Sequence, residues 1–112
     1  MKPLLVKDLE TFTKRFNSFK NGAFKNFNII SPTHFEIELL AQDEARMHDW
    51  VTVSFELTGA SSANLLDNSK LSLINMDNGV SITHNGIDFA FNLLNSTFFI
   101  ECTTIKYQEG AF

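Results

Sequence analysis

Apolar and polar positions alternate most regularly between Thr33 and Leu57. In Thr33 to Ala41, Phe35, Ile37, Leu39 and Ala41 share one parity and His34, Glu36, Glu38 and Leu40 the other. In Trp50 to Leu57, Val51, Val53, Phe55 and Leu57 alternate with Trp50, Thr52, Ser54 and Glu56. A period of two sends alternate side chains to opposite faces, so each segment predicts a half-buried strand. Antiparallel pairing of residues whose numbers sum to 90 opposes Phe35 to Phe55, Ile37 to Val53 and Leu39 to Val51. On the other face it sets His34 opposite Glu56 and Leu40 opposite Trp50. A sum of 92 would oppose Glu36 to Glu56, a like-charge pair. The first register is therefore the prediction, with residues 42–49 as the loop.

A different period opens the chain. Leu5, Leu9, Phe12, Phe16 and Phe19 recur in steps of four and three, which predicts one amphipathic helix with a core-facing stripe. Asp8 is its expected N-cap and Asn21-Gly22 its expected stop. The segment Phe24 to Ile30, closed by Ser31-Pro32, predicts a strand, with Pro32 favouring an edge position.

The second half predicts a meander. Residues 58–69, rich in small and polar types, form a long connection anchored by Leu65 and Leu66; a lid is the functional alternative. Strands are expected over Leu71 to Asn75, Val80 to His84, Ile87 to Leu93 and Thr97 to Tyr107, with turns at Asp77-Asn78-Gly79, Asn85-Gly86 and Asn95-Ser96. The fold class is α+β: one N-terminal amphipathic helix packed on a curved antiparallel sheet of five to seven strands, in a single domain over residues 1–112.

Composition adds one unusual item, 12 Phe against one Tyr and one Trp. Phe brings area without a polar handle, so these rings belong in a core or an interface. The lone Cys102 cannot form an internal disulfide, fits a reducing, cytoplasmic compartment and reads as a core residue. No stretch is long and apolar enough for a membrane span, and a net charge of −4 argues against nucleic acid. That charge is uneven. Residues 1–25 carry +4 and residues 26–112 carry −8, which implies a basic helix beside an acidic sheet, or an acidic surface facing a basic protein partner.

His34, Glu36 and Glu38 are ligand-type residues on one strand face. Strand positions four apart lie about 13 Å apart, too far for one small cation to bind all three, so no metal is expected. His48 and Asp49 beside Trp50 suggest a base and a stacking ring, yet adjacent residues on an extended chain diverge. No catalytic motif, phosphate loop or zinc spacing is present, which weighs against an enzyme and predicts no cofactor. The contact candidates are His48, Asp49, Trp50, Leu40, Glu38 and His34.

The run His48-Asp49-Trp50-Val51-Thr52-Val53-Ser54-Phe55-Glu56-Leu57-Thr58-Gly59, followed by Lys70-Leu71-Ser72 and Met76-Asp77-Asn78-Gly79-Val80, resembles small bacterial proteins of the mobile-gene-cassette (integron cassette) or immunity-protein type. The resemblance spans residues 46–107 and implies an α+β fold with an accessory, non-catalytic role. The expectation is a self-associating interaction protein, a homodimer with an acidic partner-facing surface. The alternative is a small-ligand binder or enzyme with a Phe-lined pocket between helix and sheet.

Overall fold

The computed structural model describes residues 1–65 and 74–112. Among them, nine strands are present: β1 (Lys2–Pro3), β2 (Ala23–Ser31), β3 (His34–Asp43), β4 (Asp49–Thr58), β5 (Ser62–Asn64), β6 (Val80–His84), β7 (Phe89–Leu93), β8 (Phe99–Cys102) and β9 (Thr104–Ala111). They form two antiparallel sheets, a five-stranded one in the order β1-β9-β4-β3-β2 and a four-stranded one in the order β5-β8-β7-β6. One N-terminal helix, α1 (Leu9–Arg15), accompanies them. The α+β class is as predicted, with the strands shared between two sheets.

Phenylalanine builds the interior. Phe55 of β4 meets Phe91 of β7 at 5.5 Å between ring centroids, and Phe98 meets Phe24 and Phe27 of β2 at 5.7 and 5.4 Å. These edge-on pairs join the two sheets through their inner faces. The helical segment closes the sandwich. Phe12 lies 6.0 Å and Phe19 5.6 Å from Phe55. Phe12 and Phe19 thus pack between the helical segment and β4.

The helix is shorter than its apolar period. A 3-10 turn (Val6–Asp8) leads into α1, and Asp8 makes no side-chain cap. After Phe16 the backbone reverses hand: Asn17, Ser18 and Phe19 have φ of 53°, 54° and 61°. Left-handed backbone costs roughly 1–2 kcal/mol per non-glycine residue. The turn satisfies its own polar groups, with Phe19 N donating to Phe16 O (2.9 Å) and Lys20 N to Asn17 O (3.1 Å). It also drives the fully buried Phe19 ring into the core. Periodicity reports which side a residue faces, and Phe19 faces inward by either route.

The β3–β4 register corrects the prediction. Phe35 pairs with Leu57, Ile37 with Phe55, Leu39 with Val53 and Ala41 with Val51, so the sum is 92 and Glu36 does oppose Glu56. Both registers bury the same side chains, so burial cannot choose between them. The turn chooses. Asp43 and Asp49 close the ladder, Glu44–Arg46 make a 3-10 turn, and Met47 and His48 take φ of 56° and 66°. His48 N donates to Asp43 O at 2.9 Å, and the Asp43 carboxylate accepts from Ala45 N at 3.0 Å. The like-charge pair is eased from both sides. Lys106 of β9 opposes Glu56, and His34 Nε2 reaches Glu56 Oε1 at 3.6 Å across the diagonal.

The expected strand from Thr97 to Tyr107 is two strands in different sheets, separated at Thr103. β4 and β9 pair in one sheet, and their continuations β5 and β8 pair in the other. A single two-stranded ribbon therefore bends from one sheet to the other. Thr103 N donates to the carbonyls of Thr58 and Gly59 at the bend, and the paired numbers change sum by one, the mark of a bulge. β5 falls within the connection expected over residues 58–69. Residues 66–69 of that stretch, where the lid alternative partly falls, and residues 71–73 of the strand expected over residues 71–75 lie outside the described residues. β6 matches its prediction, whereas β7 begins at Phe89 because residues 85–88 form the loop, in which Asn85 N donates to Asp88 O.

Candidate functional site

Strand alternation assembles the site on the outer face of the five-stranded sheet. Leu40 and Trp50 project there from β3 and β4, and continuing the β4–β9 register brings Phe112 opposite Trp50. These three, with Asn21, Gly22 and Ala23, line a groove of about 260 Å³. Trp50 is 42% exposed and Phe112 75%. The expected direct pairing of Trp50 with Leu40 is corrected: Trp50 opposes Gln42 and Leu40 opposes Thr52. The two still share the groove as diagonal neighbours.

Along the same face the surface turns polar. Thr52 is nearly buried and its hydroxyl accepts from Lys25 Nζ at 3.2 Å. Beyond it lies a trough of about 220 Å³ whose lining includes Asn26, Asn28, Glu36, Glu38, Ser54 and Gln108. Asn26 Nδ2 donates to Glu38 Oε1 at 3.3 Å. Glu38 therefore stands between the apolar groove and the carboxylates Glu36 and Glu56. His34 lies at the far end, opposite Thr58, so its predicted direct pairing with Glu56 is replaced by the diagonal contact.

His48 and Asp49 sit apart from this arrangement. Both are exposed, and among the described residues no hydrogen bond or ion pair joins them. His48 is held in the left-handed turn by its backbone, and Asp49 opposes Asp43 at the end of the ladder. Their placement provides neither a dyad nor a groove lining. Phe112, Gln108, Asn26 and Asn28 were not among the sequence candidates. The alternation Lys106, Gln108, Gly110, Phe112 continues the outward parity of β9 and is the signal that finds the first two.

The acidic surplus is divided between the two faces. Glu36, Glu38 and Glu56 face outward, while Asp43 and Glu109 point toward α1. Arg15 donates through Nε to Asp43 Oδ1 (2.8 Å) and through Nη2 to Asp43 Oδ2 (2.7 Å), and its Nη2 also reaches Glu109 Oε1 at 3.3 Å. Asp43 is fully buried. The guanidinium's hydrogen bonds hold its carboxyl below the usual carboxylate range, and the same bonds raise Arg15. This cluster fastens the helix to the sheet. Among the described residues no group of three His, Cys, Asp or Glu side chains has metal-binding geometry, and no helix is long and apolar enough to cross a membrane.

Cys102 is fully buried, and burial pushes its thiol up to about 12. The folded chain keeps a proton that the unfolded chain releases above about pH 8.5, so stability declines as pH rises from there toward 12. Urea midpoints measured from pH 8 to 10.5 are expected to fall, this thiol contributing at most about 1.4 kcal/mol per pH unit. Cys102→Ala should flatten that limb. An unchanged limb would show that the thiol is not shielded.

No protein family, no curated protein and no solved structure matches this chain.

Proposed function

We propose that this chain is a non-catalytic, cytoplasmic accessory protein of the cassette or immunity type that acts by protein contact. It self-associates through the Leu40, Trp50 and Phe112 groove and offers Glu36, Glu38 and Glu56 to a basic partner. The observation that carries the reading is the half-exposed Trp50 sharing one groove with Leu40 and the exposed Phe112. Tryptophan in a hydrophobic depression is the side chain most often found at the energetic centre of an interface. Apolar rings left together on a surface mark a contact site.

The two roles occupy opposite ends of one face. Trp50 and Glu56 are six residues apart on β4, roughly 20 Å along an extended strand. A two-fold contact at the groove end leaves the carboxylates accessible at the other. An interface of standard size covers about 800 Å² per partner, so the contact extends from the groove onto neighbouring β3 and β4 residues.

Light scattering over about 5–500 μM is the test. Wild type is expected to approach twice the 12.7 kDa chain mass. Trp50→Glu should remain at the single-chain mass with its thermal midpoint changed by less than about 3 °C, since the position is exposed. A wild-type chain that stays monomeric throughout removes the dimer.

A further inference from the structure

We propose that Asn85-Gly86, in the loop between β6 and β7, is a self-modification site at which Asn85 is converted through a succinimide to aspartate or isoaspartate. That reaction needs a nitrogen nucleophile, a base for its proton and donors for the oxyanion that forms on the amide. The loop holds all three. Gly86 N donates to His84 Nδ1 at 3.0 Å. The neutral imidazole keeps its own hydrogen on Nε2 and directs the Nδ1 lone pair at that amide proton. The ring stands edge-on to Phe89 at 4.7 Å between centroids. Asn85 Oδ1 accepts from Ile87 N at 2.9 Å and from Asp88 N at 2.8 Å. These are the donor distances of an oxyanion hole.

In the reaction His84 Nδ1 takes the proton from Gly86 N as that nitrogen bonds to Asn85 Cγ. The five-membered ring closes through the Cβ, Cα and carbonyl carbon of Asn85, so rotations within one residue bring the two atoms together. The tetrahedral carbon then expels Nδ2 as ammonia, which carries away the proton held by the imidazole. Water opens the succinimide at either carbonyl. The product is one unit more negative than the chain's −4.

Two further Asn-Gly pairs, Asn21-Gly22 and Asn78-Gly79, serve as internal controls. Gly22 N donates to Phe19 O at 3.2 Å and Gly79 N to Met76 O at 3.0 Å, so those protons face carbonyl oxygens, which are far weaker bases than imidazole. Both glycines are also wedged against backbone. A methyl group would overlap Leu40 O at Gly22 and Ser18 O at Gly79, whereas nothing lies within 4 Å of one at the exposed Gly86. Swinging the peptide to close the ring is obstructed at two sites and open at the third.

The test is incubation of the full chain at about 37 °C and pH 7, with peptide mass spectrometry following replacement of the amide NH2 by OH at each asparagine. Asn85 is expected to react at least about tenfold faster than Asn21 or Asn78, and unfolding in urea should bring the three rates to within severalfold. His84→Gln retains an acceptor for Gly86 N but no base. It should slow Asn85 about tenfold and leave Asn21 and Asn78 unchanged. The wild-type comparison, folded against unfolded, is read without any variant. An Asn85 no faster than the other two in the folded chain overturns the proposal. So does an unchanged rate in His84→Gln, or a preference for Asn85 that persists in urea.

Discussion

Gly79→Ala is expected to destabilise the fold by about 4 kcal/mol or more, among the largest effects of any single substitution. Gly79 has φ +73°, and a methyl group there would overlap the Ser18 carbonyl oxygen and stand 2.8 Å from Lys20 N. Both obstacles are backbone atoms of the left-handed turn, and neither can rotate away. That turn holds Phe19 against Phe55, so relieving the overlap displaces a ring from the middle of the core. Two other glycines separate the contributions. Gly86 has φ +97° with nothing within 4 Å of an added methyl, so Gly86→Ala shows backbone strain alone, about 1–2 kcal/mol. Gly110 has neither the positive φ nor a neighbour, and Gly110→Ala should be close to neutral. Thermal melts should rank the three in that order, with Gly79→Ala lower than wild type by roughly 15 °C or more. Equal losses at Gly79 and Gly86 would falsify the docking of this turn.

Arg15→Met should cost about 3 kcal/mol at pH 7, because it keeps the aliphatic stem and leaves the buried Asp43 carboxylate without its bidentate partner. The pH dependence distinguishes this from simple loss of packing. With Arg15 present, the Asp43 carboxyl sits below its unfolded value of about 3.9. Its stabilisation is complete above that value and disappears as pH falls through the lower folded one. In the variant, burial acts on Asp43 without the guanidinium and favours its protonated form, so acidification relieves the damage. The stability gap between the two proteins is therefore expected to narrow from pH 7 to pH 3 in urea titrations. Arg15→Met combined with Asp43→Leu should recover part of the loss, since an apolar pair replaces a broken ionic one. A gap that stays constant with pH, or a double variant as weak as the sum, would show that the pair is not the source.

The sequence was most informative where a pattern has a single structural solution. Alternation over Phe35 to Ala41 and Val51 to Leu57 placed eight side chains on the inner face, and all are buried. It also put Leu40 and Trp50 on one outer face, where they line a common groove. It could not decide register, because a shift of two residues preserves every facing. The deciding features were a turn with Met47 and His48 in left-handed backbone, residue types that seldom signal it, and the burial of Asp43. Avoiding Glu36 opposite Glu56 misled, since a half-buried like-charge pair at the sheet surface costs only a few tenths to about 1 kcal/mol and Lys106 and His34 moderate it. The helix failed for a similar reason. Asn17 and Asn21 tolerate positive φ, but the apolar step to Phe19 continued the helical phase and concealed the reversal.

The bent ribbon has a consequence for how the molecule comes apart. β4 runs into β5 and β9 into β8, so each strand of the ribbon belongs to both sheets. Peeling either sheet open pulls on backbone pairs that the other needs, and Phe55 and Phe91 lose their shared contact in the same step. The two layers are thus one cooperative unit, with slowly exchanging amides in β4 and β9 matched by similar protection in β7 and β8.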